Sequence, residues 1–358
     1  MSQSGVKHLP EERPEKKHRN DQENTLNEAA ILERIAGLLS HQAIGLTGHL
    51  DDDAYFCPQR RLILTTDMLV EGTHFRFSTH SPYDIGWKAA AVNISDIAAM
   101  GGKPDFLLIS IGLTKATSTG FIDGLYEGLS HCAKAYQALI VGGDTVFSPQ
   151  LTINVTAVGQ LPLQHTLGTR SGARPGHRLI VTGPHGLSAA GLYALDHGIK
   201  NAPELLLQTH RRPTPRIEQA LTLSKRITHY AMMDTSDGLA DACLKLSKQS
   251  KVQIILDESK LPVNPDLAHF AEKQKQDLMQ WMLYGGEDFE LIATMPVELP
   301  LPAGWQEIGR VHELPAIEPA PNGAHPNYDN PTTSPVVLHR LDGSLMPLGL
   351  DKTFSHFG

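Results

Sequence analysis

Residues 81–104 read Ser81-Pro82-Tyr83-Asp84-Ile85-Gly86-Trp87-Lys88-Ala89-Ala90-Ala91-Val92-Asn93-Ile94-Ser95-Asp96-Ile97-Ala98-Ala99-Met100-Gly101-Gly102-Lys103-Pro104. Ser81 suits a helix N-cap, and Pro82 suits the first turn because its missing N–H would go unpaired there. Asp84 meets the positive end of the helix dipole. The helix runs through the alanines to Met100 and stops at Gly101-Gly102, with Pro104 beyond. Asp96 falls in its interior, one turn from Asn93 on the same face, where aspartate is a poor helix former. Its presence there argues for a chemical use.

Outward from this helix the chain alternates strands and helices. Leu62–Thr66 is a strand ending at Asp67. Downstream come a strand at about Asp105–Leu113, a helix at Gly120–Tyr136, and a short strand Leu139-Ile140-Val141 ending at Gly142-Gly143-Asp144. Leu151–Val158 alternates apolar and polar residues, the period of a half-buried antiparallel strand. Arg170–Gly176, with Pro175 and two glycines, reads as an inter-domain link. The second half gives a strand at Leu179-Ile180-Val181, the turn Gly183-Pro184-His185-Gly186 and a helix from Leu187. Further helices follow near Thr214–Ser224, Gly238–Ser247 and about Lys273–Leu283, with strands at Ala231–Met233, Val252–Leu256 and Phe289–Met295. No element is legible in the Pro-, Asn- and Gly-rich stretch 298–335. The expected fold class is α/β (α+β, with mixed sheets) in two domains: a tail over 1–26 expected to be disordered, an N-terminal domain over 27–169 and a C-terminal domain over 170–358. Structure is expected to begin near Leu26, where Ile31, Ile35, Leu38 and Leu39 recur at helical spacing.

Composition narrows the class. The 358 residues carry 31 Lys+Arg against 39 Asp+Glu, a net charge of −8, the wrong sign for a general nucleic-acid binder. No apolar run approaches the ~20 residues of a membrane helix, and residues 1–27 have no hydrophobic signal core. Cys57, Cys132 and Cys243 are widely spaced and form no CxxC pair, as in a reduced, cytoplasmic protein.

Carboxylates gather at element ends: Asp51-Asp52-Asp53, Asp67, Asp96, Asp144, Asp234-Thr235-Ser236-Asp237-Gly238 and Gly285-Gly286-Glu287-Asp288. Each has a plain reading. The triple aspartate suits a solvated turn, Asp144 a tight turn, and Ser236 or Asp237 a helix cap. Their joint occurrence suggests otherwise. Several such groups in one cleft repel by several kcal/mol per pair in a low-dielectric site unless cations intervene. Oxygen-only ligands select Mg²⁺, Mn²⁺ or Ca²⁺, and Mg²⁺ commonly bridges carboxylates and phosphates. The residues thus point to a metal-bridged phosphate site. P-loop, GxGxxG, kinase HRD and DFG, GxSxG and HExxH signatures are all absent. Gly183–Gly186 either offers backbone N–H groups to a phosphate or makes an ordinary strand–helix turn. His74, in Gly72-Thr73-His74-Phe75, is either a donor to substrate or a packed histidine.

These motifs together resemble the thiamine-monophosphate kinase family, of the superfamily that includes aminoimidazole-ribonucleotide synthetase and selenophosphate synthetase. The resemblance is carried by Asp52-Asp53-Ala54, Thr65-Thr66-Asp67, Gly72–Phe75, Lys88–Gly101, Val141-Gly142-Gly143-Asp144-Thr145, Thr169–Gly176, Asp234–Leu239 and Tyr284–Leu291. It implies ATP-dependent phosphorylation of thiamine monophosphate to thiamine diphosphate with several Mg²⁺ ions. It also implies a homodimer whose N-terminal sheets pair into a barrel while the C-terminal domain completes the nucleotide site. By motif position Asp53, Thr65, Thr66, Asp67, Asp96, Asp144, Asp234 and Asp237 are implied as metal ligands. Gly143, Asp144, Arg170 and Ser236 are implied as ATP contacts, and His74, Glu287 and, more weakly, Phe354 as contacts to thiamine monophosphate. Asp51 stands where the family usually has glycine.

A phosphate monoester with a second pKa near ~6 is mostly dianionic at neutral pH. It needs no general base to attack the γ-phosphate, and none is identified. Direct in-line transfer assisted by Mg²⁺ is expected. The alternatives are another ATP-using synthetase of the superfamily, or a non-catalytic nucleotide- and metal-binding regulator. No N-terminal cysteine nucleophile of a selenophosphate synthetase is evident.

Overall fold

The computed structural model describes residues 53–315, 330–331 and 333–349. The 1–26 tail, the helix expected from Leu26, Asp51, Asp52 and Phe354 lie outside the described residues.

The N-terminal half is a five-stranded sheet in the order β1-β2-β5-β3-β4. Its strands are β1 (Tyr55–Cys57), β2 (Leu62–Val70), β3 (Lys103–Leu113), β4 (Leu139–Phe147) and β5 (Thr152–Gln160). β5 is antiparallel to both β2 and β3, as its alternation predicts, and β3 and β4 are parallel. Helices α1 (Pro82–Ala99) and α2 (Thr119–Ala135) accompany it. Ser81 and Asp84 form a full capping box at the start of α1, with Pro82 in the first turn, an arrangement worth ~1 kcal/mol. The two helix backbones approach closely: a Cβ on Gly86 would fall 1.9 Å from the Leu125 carbonyl oxygen.

α1 is buried on nearly every side, because its residues join one core with Met232, Leu291 and Ala293 of the second half as well as with Ile63, Ile109 and Val155 of the first sheet. A helix enclosed in this way has no broad solvent-facing stripe, which fits its run of alanines. The second half is a seven-stranded sheet, β12-β11-β8-β10-β6-β9-β7. It comprises β6 (Arg178–Val181), β7 (Met232–Asp234), β8 (Val252–Asp257), β9 (Leu291–Met295), β10 (Gln306–Glu313), β11 (Val336–His339) and β12 (Leu345–Pro347). Its helices are α3 (Leu187–Asp196), α4 (Glu204–Arg211), α5 (Ile217–Arg226), α6 (Leu239–Ser250), α7 (Pro265–Gln274) and α8 (Leu278–Tyr284).

The two-domain α/β class with mixed sheets holds, but the barrel does not. Neither sheet closes: β1 and β4 are the open edges of five strands, and β12 and β7 of seven. About eight strands are needed to surround a side-chain-filled interior, and α1 already fills one face of the first sheet. Other differences are local. β2 runs past Asp67 to Val70, and β4 runs past Gly142 to Phe147. At Gly143, β4 passes so close to β3 that a Cβ would lie 1.8 Å from the Ile109 oxygen. The helix expected over Lys273–Leu283 begins only at Leu278, where Asp277 caps it; α7, which ends at Gln274 because Lys275 takes a left-handed conformation, is a separate helix that lies almost wholly before the expected start. α4, β1, β10, β11 and β12 are elements the sequence patterns did not reveal.

Candidate active site

Oxygens of Asp53, Asp96 and Asp234 lie within 4.8 Å of one another. Asp53 precedes β1, Asp96 lies in α1, and Asp234 ends β7, so the cluster forms only where the two halves of the chain meet. Thr65 of β2 donates to Asp96 Oδ2 at 2.6 Å and to the Asp53 carbonyl oxygen at 3.2 Å. Ser95 donates to Asp234 Oδ2 at 2.6 Å. Arg170 pairs with Asp53 Oδ1, whereas Asp53 Oδ2 is buried without a hydrogen-bond partner. Asn93 accepts the Asp67 N–H at 2.9 Å and so fixes β2 against α1.

Burial first, then mutual repulsion, disfavours the charged forms. The Asp67 carboxyl is pushed up to about 6 by desolvation, with Asp53 and Asp237 adding. Asp234 is pushed up to about 7, by burial and then by Asp53. The fully buried Asp96 is held well above the usual carboxylate range by desolvation and by Asp67, Asp234 and Asp53. Such a site gains from a cation.

The sheet sorts the remaining expected ligands by face. Side chains alternate along a strand, and paired residues share a face. Thr65 and Asp67 point toward α1, so Thr66 points the other way, beside its partner Thr156. Its hydroxyl donates to the Val155 carbonyl oxygen at 3.1 Å and meets Thr156 Oγ1 at 3.2 Å. Asp144 pairs with Ser110, and Ser110 with Asn154, which puts Asp144 on the same outer face as Thr66. Gly143 and Asp144 are exposed on the edge strand.

Asp237 stands apart from the three-carboxylate cluster. Lys245 lies 2.7 Å from both its Oδ2 and that of Asp241. Helix capping does not account for the Asp234–Gly238 motif, since Gly238 is the cap and no side chain caps the helix. The Ser236 carbonyl oxygen accepts the Glu287 N–H at 2.7 Å, joining the motif to the glycine-flanked acids. There the acids divide. Asp288 accepts the N–H groups of Gly186 at 2.5 Å and Ser188 at 2.8 Å, so the Gly183–Gly186 turn meets a carboxylate of its own chain. Glu287 lies 2.7 Å from Lys88, which also donates to the His74 carbonyl oxygen at 2.8 Å. His74 Nδ1 accepts the Val70 N–H at 3.1 Å. The sequence patterns assign no role to Lys88 or Ser95. A lysine beside three buried alanines was the available signal; for Ser95 there was none beyond its place before Asp96.

Two family descriptions match the chain: AIR synthase related protein, N-terminal domain, over residues 50–161, and AIR synthase related protein, C-terminal domain, over 174–291. The thiamine-monophosphate kinase of Synechococcus elongatus is 34% identical over 317 residues, covering 86% of this chain and 90% of the relative. The chain belongs to the thiamine-monophosphate kinase family. The Bacillus subtilis thiamine-monophosphate kinase is 36% identical over 283 residues, covering 76% of this chain and 85% of its own. Among solved structures, AaThiL complexed with AMPPCP and TMP superposes with a TM-score of 0.76 at 31% identity, covering 92% of this chain and 97% of that one. As a family member, the chain brings acids from its two matched segments into one cluster. No helix among its described residues is long and apolar enough to cross a membrane.

Proposed function

We propose that this chain transfers the γ-phosphoryl group of ATP to thiamine monophosphate through a site built on Asp53, Asp67, Asp96 and Asp234, and that it acts as a homodimer. The observation that carries this reading is the convergence of Asp53, Asp96 and Asp234 from both halves of a thiamine-monophosphate kinase chain. A phosphate oxygen of the substrate attacks the γ-phosphorus, the bond to the bridging oxygen breaks, and ADP leaves with that electron pair. The attacking group is already an anion, so no side chain need remove a proton.

The residues fit divalent ions. The donors are all oxygen, Asp53 Oδ2 is buried without a hydrogen-bond partner, and burial and mutual repulsion disfavour charge on Asp67, Asp96 and Asp234. Bound there, Mg²⁺ supplies the positive charge that offsets the transferring phosphates. Asp53, Asp67, Asp96 and Asp234 would hold it, with Thr65 and Ser95 orienting two of the carboxylates. Arg170, already against Asp53, supplies the cationic contact to ATP. Ser236 serves the nucleotide, and His74 and Glu287 receive thiamine monophosphate.

Thr66 and Asp144 would meet nucleotide or metal on the outer face of the first sheet, opposite the Asp53, Asp96 and Asp234 cluster, with Gly143 beside them on the edge strand. On that face Met68 and Leu108 are 55% and 39% exposed, and Val146 on the edge strand is 55% exposed. Exposed apolar side chains set among the polar Thr66, Thr156, Asn154 and Asp144 suit contact with a second copy of the chain, which would also enclose Asp144.

Incubating the protein with ATP, Mg²⁺ and thiamine monophosphate should yield thiamine diphosphate. ATP binding without that product would return the chain to the regulator reading, and a purely monomeric species in light scattering would remove the homodimer.

A further inference from the structure

Lys88 is buried, only 1% exposed, in the first half of α1. An ammonium ion is costly to bury, and a well-packed apolar residue of similar volume commonly stabilises a fold as well or better. Its placement therefore calls for more than packing. Its Nζ lies 2.7 Å from Glu287 Oε1 and donates to the His74 carbonyl oxygen at 2.8 Å. It thus joins a loop that follows β2 to a loop that precedes β9.

Glu287 is itself constrained. Its φ is 66°, in the left-handed region that non-glycine residues seldom adopt, and strain of this kind gathers at functional sites. Its second oxygen lies 3.5 Å from His210 Nδ1. Burial, with Lys88 adding, pushes the His210 imidazole down to about 2 and the nearby His80 down to about 3. Both rings are neutral at physiological pH, so Lys88 is the cation that orients Glu287. The Glu287 side chain remains 31% exposed while Lys88 is sealed behind it, so the carboxylate can meet a ligand and the ammonium cannot.

We propose that Lys88 is a positioning residue for thiamine monophosphate, setting the spacing between His74 and Glu287 from behind the site before the substrate arrives. This rests on the reading that those two residues receive the substrate.

Steady-state kinetics of Lys88→Met, Glu287→Gln, His74→Ala and the Lys88→Met/Glu287→Gln double variant test it. Lys88→Met should raise KM for thiamine monophosphate about tenfold or more and leave KM for ATP within about twofold. The double variant should be no worse than Glu287→Gln alone, because Lys88 acts through that carboxylate. If Glu287→Gln and His74→Ala raise that KM but Lys88→Met does not, the positioning role is overturned and the substrate reading stands. If neither Glu287→Gln nor His74→Ala changes it, the substrate reading itself falls. Equal rises in both KM values, or fully additive losses in the double variant, would make Lys88 a structural residue only. Should Lys88→Met fail to fold, Lys88→Gln, which still offers an N–H to the His74 carbonyl, is held to the same criteria. Failure of both to fold overturns the proposal in favour of a folding role.

Discussion

The hydroxyl of Ser95 donates to Asp234 Oδ2 at 2.6 Å, across 139 residues of sequence and with both residues fully buried. This bond ties the middle of α1 to the end of β7. The separation of Asp96 from Asp234 is therefore set by how the two halves of the chain pack, and the carboxylate cluster exists only in the assembled protein.

Asp96→Asn and Asp234→Asn should each lower kcat/KM at least about 100-fold, about 2.7 kcal/mol of transition-state stabilisation. Each also removes repulsion among buried carboxylates, so without Mg²⁺ neither variant should melt below the parent protein. Normal turnover in both would remove the metal assignment.

Asp144→Asn separates the two faces of the first sheet. Asp144 is exposed on an edge strand, so its loss should leave thermal stability unchanged while kcat/KM falls about 100-fold. Unaltered kinetics would confine the site to the α1 face.

Magnesium binding should weaken in acid. An unfolded aspartate near 3.8 loses its proton before Asp67 at about 6 or Asp234 at about 7 does in the folded protein. Between those values the folded state holds more protons, so metal-free stability falls as pH rises through the window. Mg²⁺ must displace the same protons, so its apparent affinity should fall from pH 8 to 5.5, by up to about tenfold per pH unit for each proton released. Calorimetry in buffers of different ionisation heat would count those protons; zero release above pH 6 would contradict the raised carboxyls.

Buried histidines oppose this trend. His80, His185 and His210 are pushed down to about 3, 4 and 2, chiefly by desolvation. Below the unfolded value near 6.5 the unfolded chain takes up protons that the folded chain refuses, so these groups cost stability as pH falls. The limiting slope is about 1.4 kcal/mol per pH unit for each ring. His185→Leu should flatten the acid side of the urea-stability profile without affecting Mg²⁺ binding; an unchanged slope would refute its burial as a neutral ring.

Lys245 lies against Asp237 and Asp241, where it competes with any divalent ion for Asp237. Lys245→Met should tighten Mn²⁺ binding or add an ion per chain in paramagnetic-resonance titrations. An identical isotherm would leave Asp237 outside any metal site.

Much of the fold was legible in sequence because its signals are local. Ser81, Pro82 and Asp84 specify a helix start within a few residues of chain, and the alternation from Leu151 specifies a strand with one buried face. Legibility failed where a local signal met a tertiary one. Gly142-Gly143 reads as a turn, yet β3 draws it into a strand. Lys275 ends α7 in a left-handed turn, so the helix read from Lys273 starts only at Leu278. The stretch holding β10 has little periodicity of its own and is ordered between β6 and β8.

The sequence by itself determined the kinds of element, the acids available to a cation and the family to which the chain belongs. Only the tertiary structure decided which acids meet. Thr65 and Thr66 are adjacent in sequence but face opposite sides of a sheet, because strand side chains alternate. Asp53, Asp96 and Asp234 lie far apart in sequence but share one site, because burying α1 between two sheets draws them together. Hydrophobic burial, which takes no account of distance along the chain, drives that packing, so no local pattern records where its polar passengers finish.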